Sequence, residues 1–117
     1  MLTAMQLGEN FAILTLGEHW PAMLRDLVKL YGVQDRCVAI ERIEGTPFEL
    51  MADPRHAARS VTAAAKKCGA PIVIVGGAAL TGLASAIGSL EGVRLVDCLQ
   101  ASIAQVMALT AYRRMMN

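Results

Sequence analysis

The stretch that decides the fold is Ile72-Val73-Ile74-Val75-Gly76-Gly77-Ala78-Ala79-Leu80. Its first four residues are apolar without polar alternation, which predicts a strand covered on both faces, as in a parallel sheet. The small residues at 76–79 predict a tight turn that opens a helix, with Leu80, Leu83, Ala84, Ile87 and Leu90 along its apolar side. A buried strand that runs into a helix is part of a βαβ unit, so this stretch indicates an α/β protein.

Three further strand–helix units surround this stretch. The first has a strand over 11–16 and a helix that begins near Pro21, and the second has a strand over 37–43. A loop then leads to Asp53-Pro54, which is a typical helix start. The last unit has a strand over 93–97 and a final helix with the apolar-stripe residues Leu99, Ile103, Val106, Met107 and Thr110. We therefore predict a single domain over residues 1–117.

The polarity of the strands predicts their order. The first and third strands are apolar throughout and belong in the centre, whereas the second and fourth alternate with polar residues and belong at the edges. The order 2-1-3-4 satisfies this pattern and gives a four-stranded parallel sheet in a flavodoxin-like three-layer sandwich. Such sheets bind ligands beyond the carboxyl ends of the strands, where the winding reverses. The candidate ligand-binding residues are therefore Thr15, Leu16, Gly17, Gly76, Gly77 and Ala78.

Composition excludes several classes of protein. Hydrophobic residues make up 55% of the 117 residues, which excludes intrinsic disorder. A formal net charge of +1 gives no electrostatic footprint for nucleic acid or an acidic membrane surface. The segment from Cys68 to Leu90 carries no charge, but Pro71 and its glycines indicate a strand, a turn and a helix rather than a membrane span. We expect no nucleic-acid partner and no membrane partner, and the lack of a signal peptide predicts a cytoplasmic protein.

The cysteines and histidines do not form a metal-binding pattern. The three cysteines are about thirty residues apart and no CxxC motif is present, while His19 and His56 are isolated from each other. We therefore expect no metal and no cofactor.

The glycine turn at 76–78 has a functional and a purely structural interpretation. Backbone N–H groups at a helix start carry partial positive charge, and small residues let a carboxylate, phosphate or sulfate approach them. The turn lacks the Lys-Ser/Thr of a phosphate loop and does not match G-x-G-x-x-G, so we do not expect it to bind a nucleotide. Alternatively, its glycines serve only the geometry of a tight connection.

Four segments, taken in order and spacing, resemble the aspartate/glutamate/hydantoin racemases. Residues 11–21 are similar to the strand and turn that open the second domain of that family, and residues 24–37 to its helix and next strand entry. Residues 72–80 resemble the family segment in which an apolar strand is followed by the residues Gly, Cys, a small residue, Gly and Met. Residues 93–97 resemble its last strand, so the resemblance covers nearly the whole chain.

The resemblance implies epimerisation at a carbon acidified by a carbonyl or carboxyl group. In the family, two facing domains each place a cysteine on opposite sides of the stereocentre, and one thiolate removes the proton while the other thiol returns it. This chain corresponds to one such domain, and Gly77 stands at the cysteine position. We therefore expect a truncated or degenerate racemase-like domain that is inactive alone or needs a partner domain, with a small carboxylate or hydantoin-like ligand.

Two alternatives from other classes stay open. One is a carboxylate- or anion-binding domain that lacks catalysis, and the other is a homodimeric interaction module. We expect the chain to form a homodimer, unless a missing partner domain covers the same surface, because a small apolar chain usually covers its exposed patches. The interface is expected near the carboxyl ends of the strands or on the last helix.

Two side chains are candidates for catalysis, each with an ordinary structural alternative. Cys98 directly follows the fourth strand and is either a catalytic thiol or a packing residue. His19 opens the first long helix and serves either acid–base chemistry or a surface and capping role. Thr15 either binds a ligand carboxylate or bonds within its own turn, and Asp97 is expected to cap the last helix.

Overall fold

The sheet seen in the computed structural model, which describes residues 1–8 and 10–117, has four parallel strands, namely β1 (Phe11–Leu16), β2 (Cys37–Ile43), β3 (Ile72–Val75) and β4 (Arg94–Asp97). Their order in the sheet is β2-β1-β3-β4. The predicted α/β fold and strand order are therefore confirmed.

Burial of the strands explains this order. Every residue of β1 and β3 is buried, and the two strands pair in register from Phe11 with Ile72 to Leu14 with Val75. Most residues of β2 are partly or fully exposed, and β4 begins with an exposed Arg94. The fully apolar strands thus lie in the centre because only central strands have both faces covered by helices.

Helices cover both faces of the sheet. On one face of the sheet, Leu14 and Val75 pack with Val61 and Leu80. On the other face, Ile13 packs with the helices that cover that face. The helices are α1 (Leu2–Leu7), α2 (Trp20–Leu30), α3 (Pro47–Ala52), α4 (Pro54–Lys67), α5 (Leu83–Ile87) and α6 (Cys98–Met116), with a 3-10 turn at Ala78–Leu80. The first face is covered by α3, α4 and the residues after β3, and the second by α1, α2 and the start of α6.

The loop predicted after β2 contains a short helix, α3. Thr46 caps it by accepting a hydrogen bond from the Glu49 backbone N–H at 3.2 Å, while the Glu49 carboxylate accepts one from the Thr46 N–H at 3.0 Å. This reciprocal capping box is visible in the sequence as Thr46-Pro47-Phe48-Glu49, at a place where only a loop was predicted. Helix α1 was likewise not predicted.

The prediction of a single helix after the glycine turn is wrong. A 3-10 turn over Ala78–Leu80 is followed by a break at Gly82, which has φ of 86°, and then by the five-residue helix α5. The break is stable because the Gly82 N–H donates to Asp97 Oδ2 at 2.7 Å rather than to a helical carbonyl. Leu90 lies beyond α5, in an isolated bridge with Val93, so β4 begins at Arg94 and not at Val93.

The apolar stripe predicted for the last helix is largely exposed. Leu99, Ile103, Val106 and Met107 have exposed fractions of 50–67%. Contacts with the sheet involve instead the partly buried Cys98 and Ala101, on another side of α6.

The charge-free segment at 68–90 folds into β3, the glycine turn and the short helices that follow. Within the described ranges, no helix is both long and apolar enough to cross a membrane.

Candidate functional site

A crevice of about 380 Å³ opens at the carboxyl ends of β1 and β3. Five of the six predicted ligand-binding residues line it, namely Thr15, Leu16, Gly76, Gly77 and Ala78. Gly17 is exposed and is not among the lining residues. The crevice thus forms where the winding of the sheet reverses, which is the place predicted from the strand order.

Gly76 is required by the close approach of β1 and the turn. Its N–H donates to the Leu14 carbonyl at 2.8 Å, and a Cβ at this position would lie 2.9 Å from the same oxygen. Any other residue would therefore push the central strands apart. This contact holds the floor of the crevice in place.

Gly77 occupies a different kind of position. Its φ of 100° and ψ of 144° lie in a region that residues with a side chain rarely adopt. A Cβ built at Gly77 would contact nothing within 4 Å, so there is space for a side chain. A cysteine here would fit the volume of the site but would strain the backbone.

The turn can present N–H groups to a ligand. Its two 3-10 hydrogen bonds run from Leu80 to the Gly77 carbonyl and from Thr81 to the Ala78 carbonyl. The first N–H groups of any helical turn have no partner within that turn, and here they belong to residues that line the crevice. The geometry is suited to an oxygen atom with partial or full negative charge.

Thr15 lies at the end of β1 and is 4% exposed. Its hydroxyl donates to the neighbouring Leu16 carbonyl at 3.5 Å, a long bond within its own turn. The hydroxyl oxygen keeps its acceptor capacity, so Thr15 contributes a buried polar atom to a site with mostly apolar walls.

Asp97 connects the crevice region to α6. Its side chain is 4% exposed, and Oδ1 accepts from the Gln100 N–H at 3.0 Å while Oδ2 accepts from the Gly82 N–H at 2.7 Å. The first bond is the predicted helix cap, which is confirmed. The second joins α6 to the segment that follows the glycine turn, a tie between residues fifteen positions apart that the sequence did not indicate.

Of the two catalytic candidates, only Cys98 reaches the crevice. Its half-buried thiol is the one titratable side chain among the lining residues, all of which lie in the described part of the chain. His19 is exposed at the start of α2 and makes no side-chain cap there. Glu18 next to it faces Arg42 at 3.7 Å, in an exposed ion pair on the surface.

The other cysteines lie away from this site. Burial raises the pKa of the Cys37 thiol, and burial together with the negative charge of Glu41 raises the pKa of Cys68. Both groups therefore stay protonated near neutral pH and are poor nucleophiles. Among the described residues, no three metal-binding side chains come together.

The mouth of the crevice is apolar. Trp20 and Pro47 line it, Trp20 is 52% exposed, and Phe48 directly after Pro47 is 86% exposed. We call Trp20, Pro47 and the adjoining Phe48 the rim, although Phe48 itself is not among the residues that line the crevice. The rim was not predicted, because Pro47 reaches the crevice only through the placement of α3.

A second groove, of about 530 Å³, lies along the amino-terminal side of β3 and β4. It is lined by Gly88, Gly92 and Arg94 among others, and it does not contain the catalytic candidates. Its larger volume does not make it the better candidate, because ligands of such sheets bind at the carboxyl ends of the strands.

Comparison with known proteins identifies relatives of this chain. The Asp/Glu/Hydantoin racemase family model matches residues 1–106. The structure of allantoin racemase from Pseudomonas fluorescens is similar with a TM-score of 0.83 and 25% identity, over 95% of this chain and 49% of that chain. Allantoin racemase from Klebsiella pneumoniae shares the fold with a TM-score of 0.82 and 23% identity, over 95% of this chain and 47% of that chain. The chain thus spans about half the length of these racemases, and no curated protein matches it.

Proposed function

The chain belongs to the Asp/Glu/hydantoin racemase family, and we propose that it forms one half of a racemase site for a small carboxylate or hydantoin-like ligand. The observation that carries this proposal is the crevice at the carboxyl ends of β1 and β3. Gly77 lines it, at the position that by resemblance corresponds to the family's cysteine. Allantoin, the substrate named for both structural relatives, contains a hydantoin ring and is the natural first probe.

The glycine turn is proposed to bind an oxygen of the ligand. Hydrogen bonds from its N–H groups to a carbonyl or carboxylate would favour the negative charge that develops when the neighbouring carbon loses its proton. The apolar walls would strengthen these bonds by excluding water. Binding and charge stabilisation are thus what this half of the site supplies.

Proton transfer is where this half is incomplete. Racemisation requires removal of the proton on one face of the carbon and its return on the other, so two groups on opposite sides are needed. Among the described residues that line this crevice, the titratable groups are the Cys98 thiol and the amino group of Met1, which lie close enough to interact with each other. Groups on one side of the carbon can exchange a proton with solvent on that face but cannot invert the stereocentre.

A second domain is proposed to complete the site by closing over the rim. Support comes from the large exposed fractions of Trp20 and Phe48 and from the half-length coverage of the two racemases. An apolar rim around an open crevice is typical of a surface that another unit covers. The cytoplasmic location of this chain stays a prediction.

The test follows allantoin of one enantiomer in deuterated buffer, with proton loss measured by NMR and loss of optical activity by circular dichroism. With the chain alone, the optical activity of allantoin is expected to decay no faster than at the uncatalysed rate. Deuterium uptake above background that disappears in Cys98→Ser would assign Cys98 as a one-sided base. Robust racemisation that survives Cys98→Ser would contradict the proposal.

A binding domain without catalysis is the second candidate, favoured by the absence of a side chain at Gly77. Both candidates predict that allantoin or sulfate shifts the amide resonances of residues 77–79. They differ when Gly77→Cys is combined with a supplied partner domain, because only a racemase half should then regain activity. No ligand-induced shift at these amides would count against both.

A further inference from the structure

The side of the crevice next to α2 is built from apolar side chains. Trp20 and Leu24 lie four residues apart, and therefore on one face of α2, and both line the crevice. Ile13 and Ile74 pair across β1 and β3, are buried, and line the same space from the sheet. Leu24 packs against the cluster of buried residues that contains both isoleucines. We call these four side chains the apolar pocket.

The polar groups of the crevice lie next to the apolar pocket, toward the carboxyl ends of the strands. Thr15 follows Ile13 on the same face of β1, two residues closer to the end of the strand. The glycine turn likewise follows Ile74 after one further residue of β3. A ligand ring that binds to the N–H groups of the turn therefore has the apolar pocket beside it.

None of the described side chains that line the crevice carries a charge. Arg25 on α2 lines a different groove, against β2. Arg42, near the carboxyl end of β2, pairs instead with Glu18 at 3.7 Å and Glu44 at 3.2 Å. Burial lowers the pKa of the Met1 amino group at the crevice and so favours its neutral form. A negatively charged group in the apolar pocket would thus lose water without gaining a countercharge, which is unfavourable.

We propose that the apolar pocket selects ligands by the substituent on the reacting carbon, and that it binds an uncharged apolar group and rejects a carboxylate or a ureido group. Trp20 and Leu24 are the specificity-determining residues. The N–H groups of a ureido substituent would lose hydrogen bonds to water in this pocket, whereas an aryl or branched alkyl group buries apolar surface and loses none. The inference rests on the proposed function, because it requires the ligand ring to lie at the glycine turn. It also separates this chain from its structural relatives, since allantoin carries a ureido group.

The experiment compares three hydantoins that share the ring and differ only in the substituent on its stereogenic carbon. The substituents are benzyl, carboxymethyl and ureido, and the ureido compound is allantoin. NMR titration of the full chain at neutral pH gives each dissociation constant from the amide shifts of residues 77–79. The benzyl compound is expected to bind about tenfold more tightly than the other two, because only its substituent fits an apolar, uncharged pocket.

Two substitutions on α2 distinguish the pocket from the rest of the helix surface. Trp20→Ala is expected to weaken binding of the benzyl compound about fivefold and to leave that of allantoin within about twofold, because only the benzyl group packs on the indole. Met23→Ala is the matched control, since Met23 lies on the same helix and is 52% exposed like Trp20 but does not line the crevice. It is expected to change neither affinity.

A third substitution tests the charge argument directly. Leu24→Arg places a cation in the apolar pocket and is expected to reverse the preference, so that the carboxymethyl compound binds more tightly than the benzyl compound. Circular dichroism and thermal unfolding establish that each variant is folded. If Leu24→Arg does not fold, the comparison of Trp20→Ala with Met23→Ala still decides the inference.

Two outcomes would overturn the inference and leave the proposed function intact, because the ring would still bind at the glycine turn. One is a wild-type chain that binds the carboxymethyl compound or allantoin as tightly as the benzyl compound. The other is a preference for the benzyl compound that Trp20→Ala does not reduce. Absence of any amide shift at residues 77–79 with all three hydantoins would overturn the inference and the proposed function together.

Discussion

The glycine turn with Leu80 and the distal half of α6, defined as residues 106–116, are both rich in apolar residues, but Leu80 is buried and the distal half of α6 is exposed. Leu80 is fully buried and the turn beside it is held by Gly76, whereas every residue of the distal half of α6 is exposed. Apolar composition alone therefore does not decide burial. What decides it is whether another element of the same chain lies within packing distance.

The largest expected effect compares two leucines. Leu80→Ala should lower the free energy of unfolding by about 3 kcal/mol, because it leaves a cavity in the core. Leu109→Ala, at 65% exposure, should change monomer stability by less than about 0.5 kcal/mol. Urea unfolding at a concentration where the chain is monomeric measures both. Equal losses would mean that the distal half of α6 packs within the monomer.

The next comparison concerns the two polar ties of α6. Asp97→Ala should cost about 2 kcal/mol, because it leaves the N–H groups of Gly82 and Gln100 without their charged acceptor. Gln105→Ala removes two bonds between neutral side chains, one of them exposed, and should cost about 0.5 kcal/mol. Hydrogen exchange at Gly82 is the local readout. If Asp97→Ala left the protection of the Gly82 amide unchanged, the result would contradict a hydrogen bond from this amide to Asp97.

Backbone requirements give a third comparison. Gly76→Ala should cost about 2 kcal/mol through the clash with the Leu14 carbonyl, since only movement of the central strands relieves it. Ala108→Gly in the exposed distal half should cost about 1 kcal/mol through helix propensity, provided that this segment folds together with the body. Thermal unfolding followed by circular dichroism measures both losses. No effect of Ala108→Gly would show that the distal half melts separately.

The smallest effect is a dependence of stability on pH that comes from two half-buried cysteines. Burial raises the pKa of Cys68 and Cys37, so their folded forms favour the neutral thiol. Their contribution to stability is complete below the pKa of an unfolded cysteine, about 8.5, and is lost as pH rises through the folded pKa. Cys68→Ser should flatten this alkaline decline in chemical unfolding between pH 8 and 10. If the stability of the variant declined as steeply with pH, the alkaline decline would originate in groups other than Cys68.

The candidate site was predictable as far as it follows from topology. Apolar strands at 11–16 and 72–75 determine which strands are central, and this places Thr15 and the glycine turn at one crevice. The sequence does not reveal the tie between Asp97 and Gly82, because a hydrogen bond across fifteen residues depends on how two loops meet. It likewise does not place Pro47 in the crevice, since that depends on the packing of α3.

The sequence by itself determined the layered α/β fold, the strand order and the position of the crevice. The period and polarity of each segment are local properties, and in a parallel sheet they decide which strands are central and which lie at the edges. Only the tertiary structure decided which apolar residues are buried. The last helix shows this most clearly, since its apolar residues at 99, 103, 106 and 107 predict a buried stripe. A sheet with a four-residue edge strand is too short to cover a nineteen-residue helix, so that stripe remains on the surface.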